Sequence, residues 1–398
     1  MKALVVVCDG LADRPVKSLG GKTPLEAAST PNLDRLASRG ITGIVDPVAP
    51  GIRAGSDTSH LAILGYDPCE VYTGRGPFEA AGMGIELHRG DIAWRCNFAT
   101  VDENLIVMDR RAGRIEDTSR LIEALRDIRL PGVEVELASL AYRCALVFRG
   151  EGLSHRVGDT DPHTTGVKVH PAEPLEDTPE ARRTARLLEE FTTRAYEILK
   201  EHEVNRERRR KNLPPANYLL TRGAGVVPDL ESFHSRYGMT GACIATTAII
   251  RGIARLAGMR VLRAEREYTA RARQALAALE EVDFLLMNIK EADEAGHDHS
   301  PEKKVEVIEA IDEMMAEFLE FVRDNYLVVM SDHTTPCSVG DHTGDVVPVL
   351  IAGPEVRTDT VVAFGERACA GGGLGRIRGL DLMPILLDLL NKTEKFGA

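Results

Sequence analysis

From Lys2 to Cys8 the chain reads Lys-Ala-Leu-Val-Val-Val-Cys. An apolar, β-branched run of this kind belongs to a strand buried on both faces. Further strand patterns fall at residues 260–262, 282–288, 326–330 and 346–351, and helical patterns at 240–256, 269–280, 301–322 and 380–390. Strands alternating with helices predict an α/β fold around a doubly wound, mostly parallel sheet. Ligand sites in such sheets lie at the carboxyl ends of the strands. The first run ends there in Asp9-Gly10, which places a carboxylate at that edge, although an Asp capping the next turn is the ordinary alternative.

Thr30-Pro31 opens a short helix that closes at Gly40, with Thr as N-cap, Pro at the first helical position and Gly at the end. Residues 41–48 read as extended chain. Gly55-Ser56 then precedes a second helical pattern. A hydroxyl at a helix N-terminus lies among backbone N–H groups that favour a phosphate or a developing oxyanion. Taken alone, Ser56 reads first as a helix cap and only second as a nucleophile.

Between residues 88 and 212 the texture changes to short alternating segments with Gly/Asp-rich turns and a helix near 121–129, which predicts a smaller inserted α+β domain. The main domain then comprises 1–87 and 213–398. The turn Asp109-Arg110-Arg111-Ala112-Gly113-Arg114 gathers three guanidinium groups, a group suited to bidentate phosphate or carboxylate recognition but equally at home on a solvated turn. The loop Gly158-Asp-Thr-Asp161-Pro162-His163 holds further polar groups. A long amphipathic helix at 178–203 leads to the basic run 206–211, read as a solvated helix end and hinge.

The formal charge of −12 opposes a nucleic-acid partner, which needs a basic footprint. An anionic substrate must therefore be drawn by local cations. No apolar run reaches the length of a membrane span, and residues 3–7 are too short for the core of a signal peptide. Seven cysteines without a Cys-x-x-Cys pair suit reduced thiols and a cytoplasmic protein. A homo-oligomer is neither required nor excluded.

Function concentrates in Asp293-Glu-Ala-Gly-His297, Ser331-Asp332-His333-Thr334 and Gly340-Asp341-His342-Thr343-Gly344. Asp293 and His297 fall on one helical face. Asp332-His333 follows a buried strand, where two polar residues make sense only on leaving the core. Carboxylates and imidazoles from several loops are the donors a divalent metal takes, and two such ions make a phosphoryl-transfer or hydrolysis centre.

Cys8-Asp9-Gly10, Gly55-Ser56-Asp57-Thr58-Ser59-His60, Asp293-x-x-Gly-His297, Asp332-His333 and His342-Thr343 resemble the archaeal-type cofactor-independent phosphoglycerate mutases of the alkaline phosphatase superfamily. Tyr72-Thr-Gly-Arg-Gly-Pro-Phe-Glu79, Arg95-Cys-Asn-Phe-Ala-Thr100 and the segment 109–115 match the archaeal branch. The resemblance runs nearly end to end and implies an alkaline-phosphatase-like α/β domain with an insert. It further implies Ser56 as the phosphate-accepting nucleophile in moving a phosphoryl group between the 3- and 2-hydroxyls of glycerate. Asp9, Ser56, Asp332 and His333 would hold one metal, and Asp293, His297 and His342 the other. The two ions would be Mn, Co, Mg or Zn, with no 2,3-bisphosphoglycerate required. For the substrate, Arg110 and Arg114 are candidates on the insert and Arg75 and Lys290 on the main domain, the insert closing on hinges near His88 and Asn212 to exclude water. The rivals are a phosphatase or phosphodiesterase with the same groups and a phosphotransferase with another small acceptor. A binding protein that has lost the chemistry is disfavoured, because every ligand position is filled.

Overall fold

All six residues of the first apolar run are buried, as β1 (Ala3–Cys8), in the computed structural model, which describes residues 1–397. The chain continues through β2 (Gly40–Asp46), β3 (Ile92–Val101), β4 (Val107–Asp109), β5 (Glu134–Leu140), β6 (Arg143–Arg149) and β7 (Tyr218–Val226). It ends with β8 (Gly241–Ala245), β9 (Arg260–Arg263), β10 (Phe284–Ile289), β11 (Tyr326–Met330), β12 (Val347–Ala352) and β13 (Gly375–Arg378). Two compact units result, one formed by residues 1–71 and those from Leu230 onward, the other by Tyr72–Asp229.

The first unit is built on an eight-stranded sheet in the order β13-β2-β12-β11-β1-β10-β8-β9. β1 runs parallel to both neighbours, Cys8 beside Ile289 and Val7 beside Met330. The residues that follow these three strands (Asp9, Lys290, and Ser331 to His333) therefore leave the sheet at one edge, where parallel strands present ligand groups. β12 alone breaks the parallel pattern, pairing antiparallel with β11 and β2. Its connection from β11 contains no helix among the described residues, and a parallel return normally needs a helical crossover.

The helix expected over 240–256 is β8 followed by the helix Ala248–Leu256. Gly-Ala-Cys-Ile-Ala is too short an apolar run for periodicity to assign; parallel pairing with β10 makes it a strand. The helix expected to 322 stops at Met315 and continues as two 3₁₀ turns. Among the described residues no helix is long and apolar enough to cross a membrane.

The inserted unit spans 72–229, wider than the expected 88–212. Both extensions pack with its sheet. β7 pairs antiparallel with β3, and the helix Gly76–Gly82 lies so close to β3 that a Cβ on Gly76 would meet the Ala93 carbonyl at 1.9 Å. Arg75 is consequently a residue of the insert and not of the main domain. Trp94, Phe148 and Phe191 form this unit's core, in edge-on contacts at 4.9 and 5.9 Å, with Phe191 supplied by the long helix Pro179–Glu201. The basic run is a largely solvated helix end, as expected. It closes a second helix, Glu203–Arg210, in which Arg208 donates to the carbonyls of Ala112 and Pro214.

Candidate active site

Asp9, the first residue beyond β1, is fully buried. One carboxylate oxygen accepts from Lys290 Nζ (3.0 Å) and lies 3.3 Å from His333 Nε2, and the other accepts from Asn288 Nδ2 (3.2 Å). Asp332 uses Oδ1 to accept the Gly10 amide (3.1 Å). Its Oδ2 is buried without a hydrogen-bond partner among the described residues, although His333 Nε2 lies 3.3 Å away. The helix Ser56–Ile63 begins with Ser56, Gly55 being the N-cap. The serine hydroxyl is thus not used as a cap, and Oγ sits 3.2 Å from His333 Nε2. His60, one turn on, donates Nδ1–H to the Ser56 carbonyl (2.7 Å), bracing the turn that carries the hydroxyl.

Asp293 lies on the helix Glu291–His297, with His297 one turn later on the same face. His297 Nε2 is 3.4 Å from Asp293 Oδ2, and His342 Nε2 is 3.5 Å from Oδ1. Both imidazoles donate Nδ1–H to backbone carbonyls, His297 to Gly340 (2.8 Å) and His342 to Ala54 (3.0 Å). That leaves Nε2 of each as the atom aimed at the carboxylate, the usual outer-sphere arrangement of a metal-binding histidine. His342 stacks on His333 with ring centroids 3.6 Å apart, which brings the two groups of donors side by side.

Lys290 links the groups, bonded to both Asp9 and Asp293. Burial works against its charge, but the two carboxylates outweigh burial and hold the ammonium above the ordinary lysine range. Burial likewise opposes ionisation of Asp9, yet Lys290 and His333 keep its pKa well below the usual carboxylate value. Asp293 is held down in the same way by His297, His342 and Lys290. His333 is pushed up, against burial, by Asp332, Asp9 and Asp293. The site is therefore a buried set of anions compensated by protons and one ammonium. Asp9, Asp332 and His333 offer ligand atoms within 4.8 Å of one another, as do Asp293, His333 and His342. With an orphaned carboxylate oxygen on Asp332, this donor set fits divalent cations. His297 adds a half-exposed donor to the second group.

Gly10 makes this convergence possible. Its φ is +61°, and a Cβ there would stand 2.6 Å from Asp293 Cβ. Gly10→Ala is expected to cost about 2–4 kcal/mol from left-handed strain and overpacking and to lower metal content. Denaturant melts with metal analysis of the folded variant check both.

In the inserted unit, Arg110 forms a bidentate pair with buried Asp161 (2.9 and 2.7 Å), and Arg222 lies 3.8 Å from the same carboxylate. Arg114 is exposed, in a surface hollow with Glu116, Asp117, Glu207 and Lys211. The denser cation cluster was not anticipated as a site. Arg95 on β3 stands opposite Arg222 on β7, and Asn97, two residues on, stands opposite Arg143 on β6. Arg75 bonds Glu79 at 2.9 Å, with Arg95 Nε at 3.6 Å from the same oxygen. Burial lowers the Arg95 pKa well below the guanidinium range, and Arg75, Arg222 and Arg143 lower it further. Nε of Arg95 and of Arg143 and Oδ1 of Asn97 are buried without hydrogen-bond partners among the described residues. Like charges opposed across a sheet are destabilising, so an anion here would relieve the Arg95–Arg222 opposition. The alternation Arg95-x-Asn97 was its visible signal; Asn288 and Thr335, which bond the candidate ligands Asp9, Asp293 and His333, had none.

The sequence model of the family described as 2,3-bisphosphoglycerate-independent phosphoglycerate mutase matches residues 37–205, and that of type I phosphodiesterase / nucleotide pyrophosphatase matches 233–348. The chain is 51% identical to 2,3-bisphosphoglycerate-independent phosphoglycerate mutase 1 of Methanothermobacter thermautotrophicus, covering 100% of both chains. It is 50% identical to the protein of the same name from Methanocaldococcus jannaschii, over 100% of this chain and 99% of the relative. Among solved structures, a Pyrococcus horikoshii protein superposes with a TM-score of 0.86 at 39% identity, over 100% of this chain and 99% of that one. A cofactor-independent phosphoglycerate mutase from Thermoplasma acidophilum gives 0.72 at 36% identity, over 98% and 100%. Identity at this level over the whole length, together with a serine set among two converging groups of carboxylates and imidazoles, leads to one conclusion: the chain belongs to the 2,3-bisphosphoglycerate-independent phosphoglycerate mutases.

Proposed function

We propose that this chain interconverts 3-phosphoglycerate and 2-phosphoglycerate through a phosphoserine on Ser56. The observation that carries the reading is Ser56 Oγ, free of any capping role and 3.2 Å from His333 Nε2, amid the ligand groups. Asp9, Ser56, Asp332 and His333 would hold one divalent ion, and Asp293, His297 and His342 a second, with Mn, Co, Mg and Zn all compatible with these donors. Bound there, the ions would acidify the serine hydroxyl and neutralise phosphate charge. Ser56 Oγ forms the bond to phosphorus as the bond to the 3-oxygen of glycerate breaks. The 2-oxygen then takes the phosphoryl group back and frees the serine. Lys290, already an ammonium between the two groups, is assigned to the phosphate, with the N-terminus of the helix behind Ser56 adding its field.

A mutase must also hold the glycerate while the phosphoryl group is on the serine, which requires recognition of its carboxylate. We assign that recognition to the guanidinium face formed by Arg75, Arg95, Arg143 and Arg222. Arg110 serves it indirectly, by occupying Asp161, and exposed Arg114 is the weakest of the candidates. Phosphorus NMR of 3-phosphoglycerate turnover tests the reading. Wild type should give chiefly 2-phosphoglycerate; chiefly inorganic phosphate would make the chain a hydrolase. Arg95→Gln should lower mutase activity by about 100-fold, the cost of losing one buried charge-assisted contact, with a larger share of product released as free phosphate. Unchanged partitioning in that variant would move the carboxylate site elsewhere.

A further inference from the structure

Thr335 is fully buried two residues beyond His333. Its hydroxyl lies 2.7 Å from Asp293 Oδ1 and 3.0 Å from His333 Nδ1, so one side chain touches a member of each ligand group. A threonine hydroxyl has a single hydrogen, and an ionised carboxylate can only accept. The hydrogen therefore goes to Asp293, and Thr335 Oγ1 must accept from His333 Nδ1–H. The opposite ring nitrogen, Nε2, is the atom that faces Ser56 Oγ at 3.2 Å and Asp9 and Asp332 at 3.3 Å each.

The geometry points to Thr335 as a positioning residue, which keeps the His333 proton on Nδ1, leaves Nε2 as the donor atom for a cation, and fixes the rotation of Asp293 with the same hydroxyl. The inference rests on the two-ion reading above. His297 and His342 have their Nδ1 protons taken by backbone carbonyls; His333 depends on a side chain, and that side chain spans both groups. The hydroxyl is itself held in place by rigid surroundings. The Thr335 amide donates to the Ala12 carbonyl (3.2 Å), and its own carbonyl accepts from buried Lys304 Nζ (3.0 Å). Lys304 also bonds Asp13 (2.9 Å) and the Ala12 carbonyl (3.1 Å), tying the segment after β1 to the segment after β11. On the other side, Gly296 packs so tightly that a Cβ would meet the Thr335 carbonyl at 2.5 Å.

The test is calorimetric titration of the metal-stripped full chain with manganese, for wild type, Thr335→Val and Thr335→Ser. Wild type should bind two ions; fewer would defeat the two-ion reading itself and the inference with it. Thr335→Val, which keeps shape but lacks the hydroxyl, should bind manganese about 10- to 100-fold more weakly, the usual effect of losing an outer-sphere partner. Thr335→Ser should restore wild-type affinity. Undiminished affinity in the Val variant, or a Ser variant as weak as Val, overturns the inference while leaving the two-ion reading standing. Should Thr335→Val fail to fold, nitrogen NMR of histidine-labelled, zinc-loaded wild type decides, with the His333 proton expected on Nδ1. A proton on Nε2 overturns the assignment.

Discussion

Ser56→Ala is expected to fold as wild type, to retain at least one bound ion, and to lose turnover by roughly 10⁴- to 10⁶-fold, the range seen when a covalent nucleophile is removed. The fold should be indifferent because the serine side chain caps nothing: Gly55 is the N-cap, and the Gly55 amide is satisfied by the Thr58 hydroxyl. What is lost is the atom to which phosphorus would bond, and the neighbouring hydroxyl of Thr58 is already engaged with the Gly55 backbone. Rapid-quench kinetics with 3-phosphoglycerate and intact-mass analysis provide the check. Wild type should show a transient gain of one phosphoryl group on the peptide that contains Ser56, and the variant none. Turnover near the wild-type rate in Ser56→Ala would rule out the role.

Removal of divalent cations is expected to abolish formation of 2-phosphoglycerate, and readdition of manganese, cobalt, magnesium or zinc to restore it. The reason is electrostatic. Asp9, Asp293 and Asp332 are buried together, and Lys290 and the histidines offset their charge. A phosphorylated, carboxylated substrate would add further negative charge to a chain already at −12. Asp332→Asn keeps an acceptor for the Gly10 amide but removes a charge, so it should lower metal content without unfolding the chain. Element analysis and circular dichroism of the variant test this together. Full activity in rigorously metal-free protein would end the metal reading. The sequence pattern has Asp332-His333 leaving the core at the end of a buried strand. Asp332 is in fact fully buried, whereas His342 keeps some exposure, which is why an isosteric replacement is needed at 332.

Why some of this was legible and some not follows from how each feature is encoded. β1 and β11 are covered on both faces, and that burial writes itself into the chain as unbroken apolar runs. A charged residue at the end of such a run, as at Asp9 and, one residue further on, Asp332, advertises a site, because a buried charge is costly without partners. β8 has the same burial, yet its short run of small residues fits helix and strand equally well. The arginines show the other limit. Sequence displays their density, as in the 109–114 turn, but pairing is a matter of space. Asp161, 51 residues from Arg110, absorbs that guanidinium, whereas Arg95, Arg143 and Arg222 are brought together by strand pairing and have to share the Glu79 and Asp161 carboxylates.

The sequence by itself determined the α/β class, the presence of an insert and the residue types of the reactive cluster. Periodicity and the chemistry of Asp, His and Ser are local properties of the chain. Tertiary structure alone decided where the insert ends, which arginines share a carboxylate, and that Thr335 joins His333 to Asp293. Each of these depends on distances of a few ångströms between residues on different elements, and no local pattern encodes such distances.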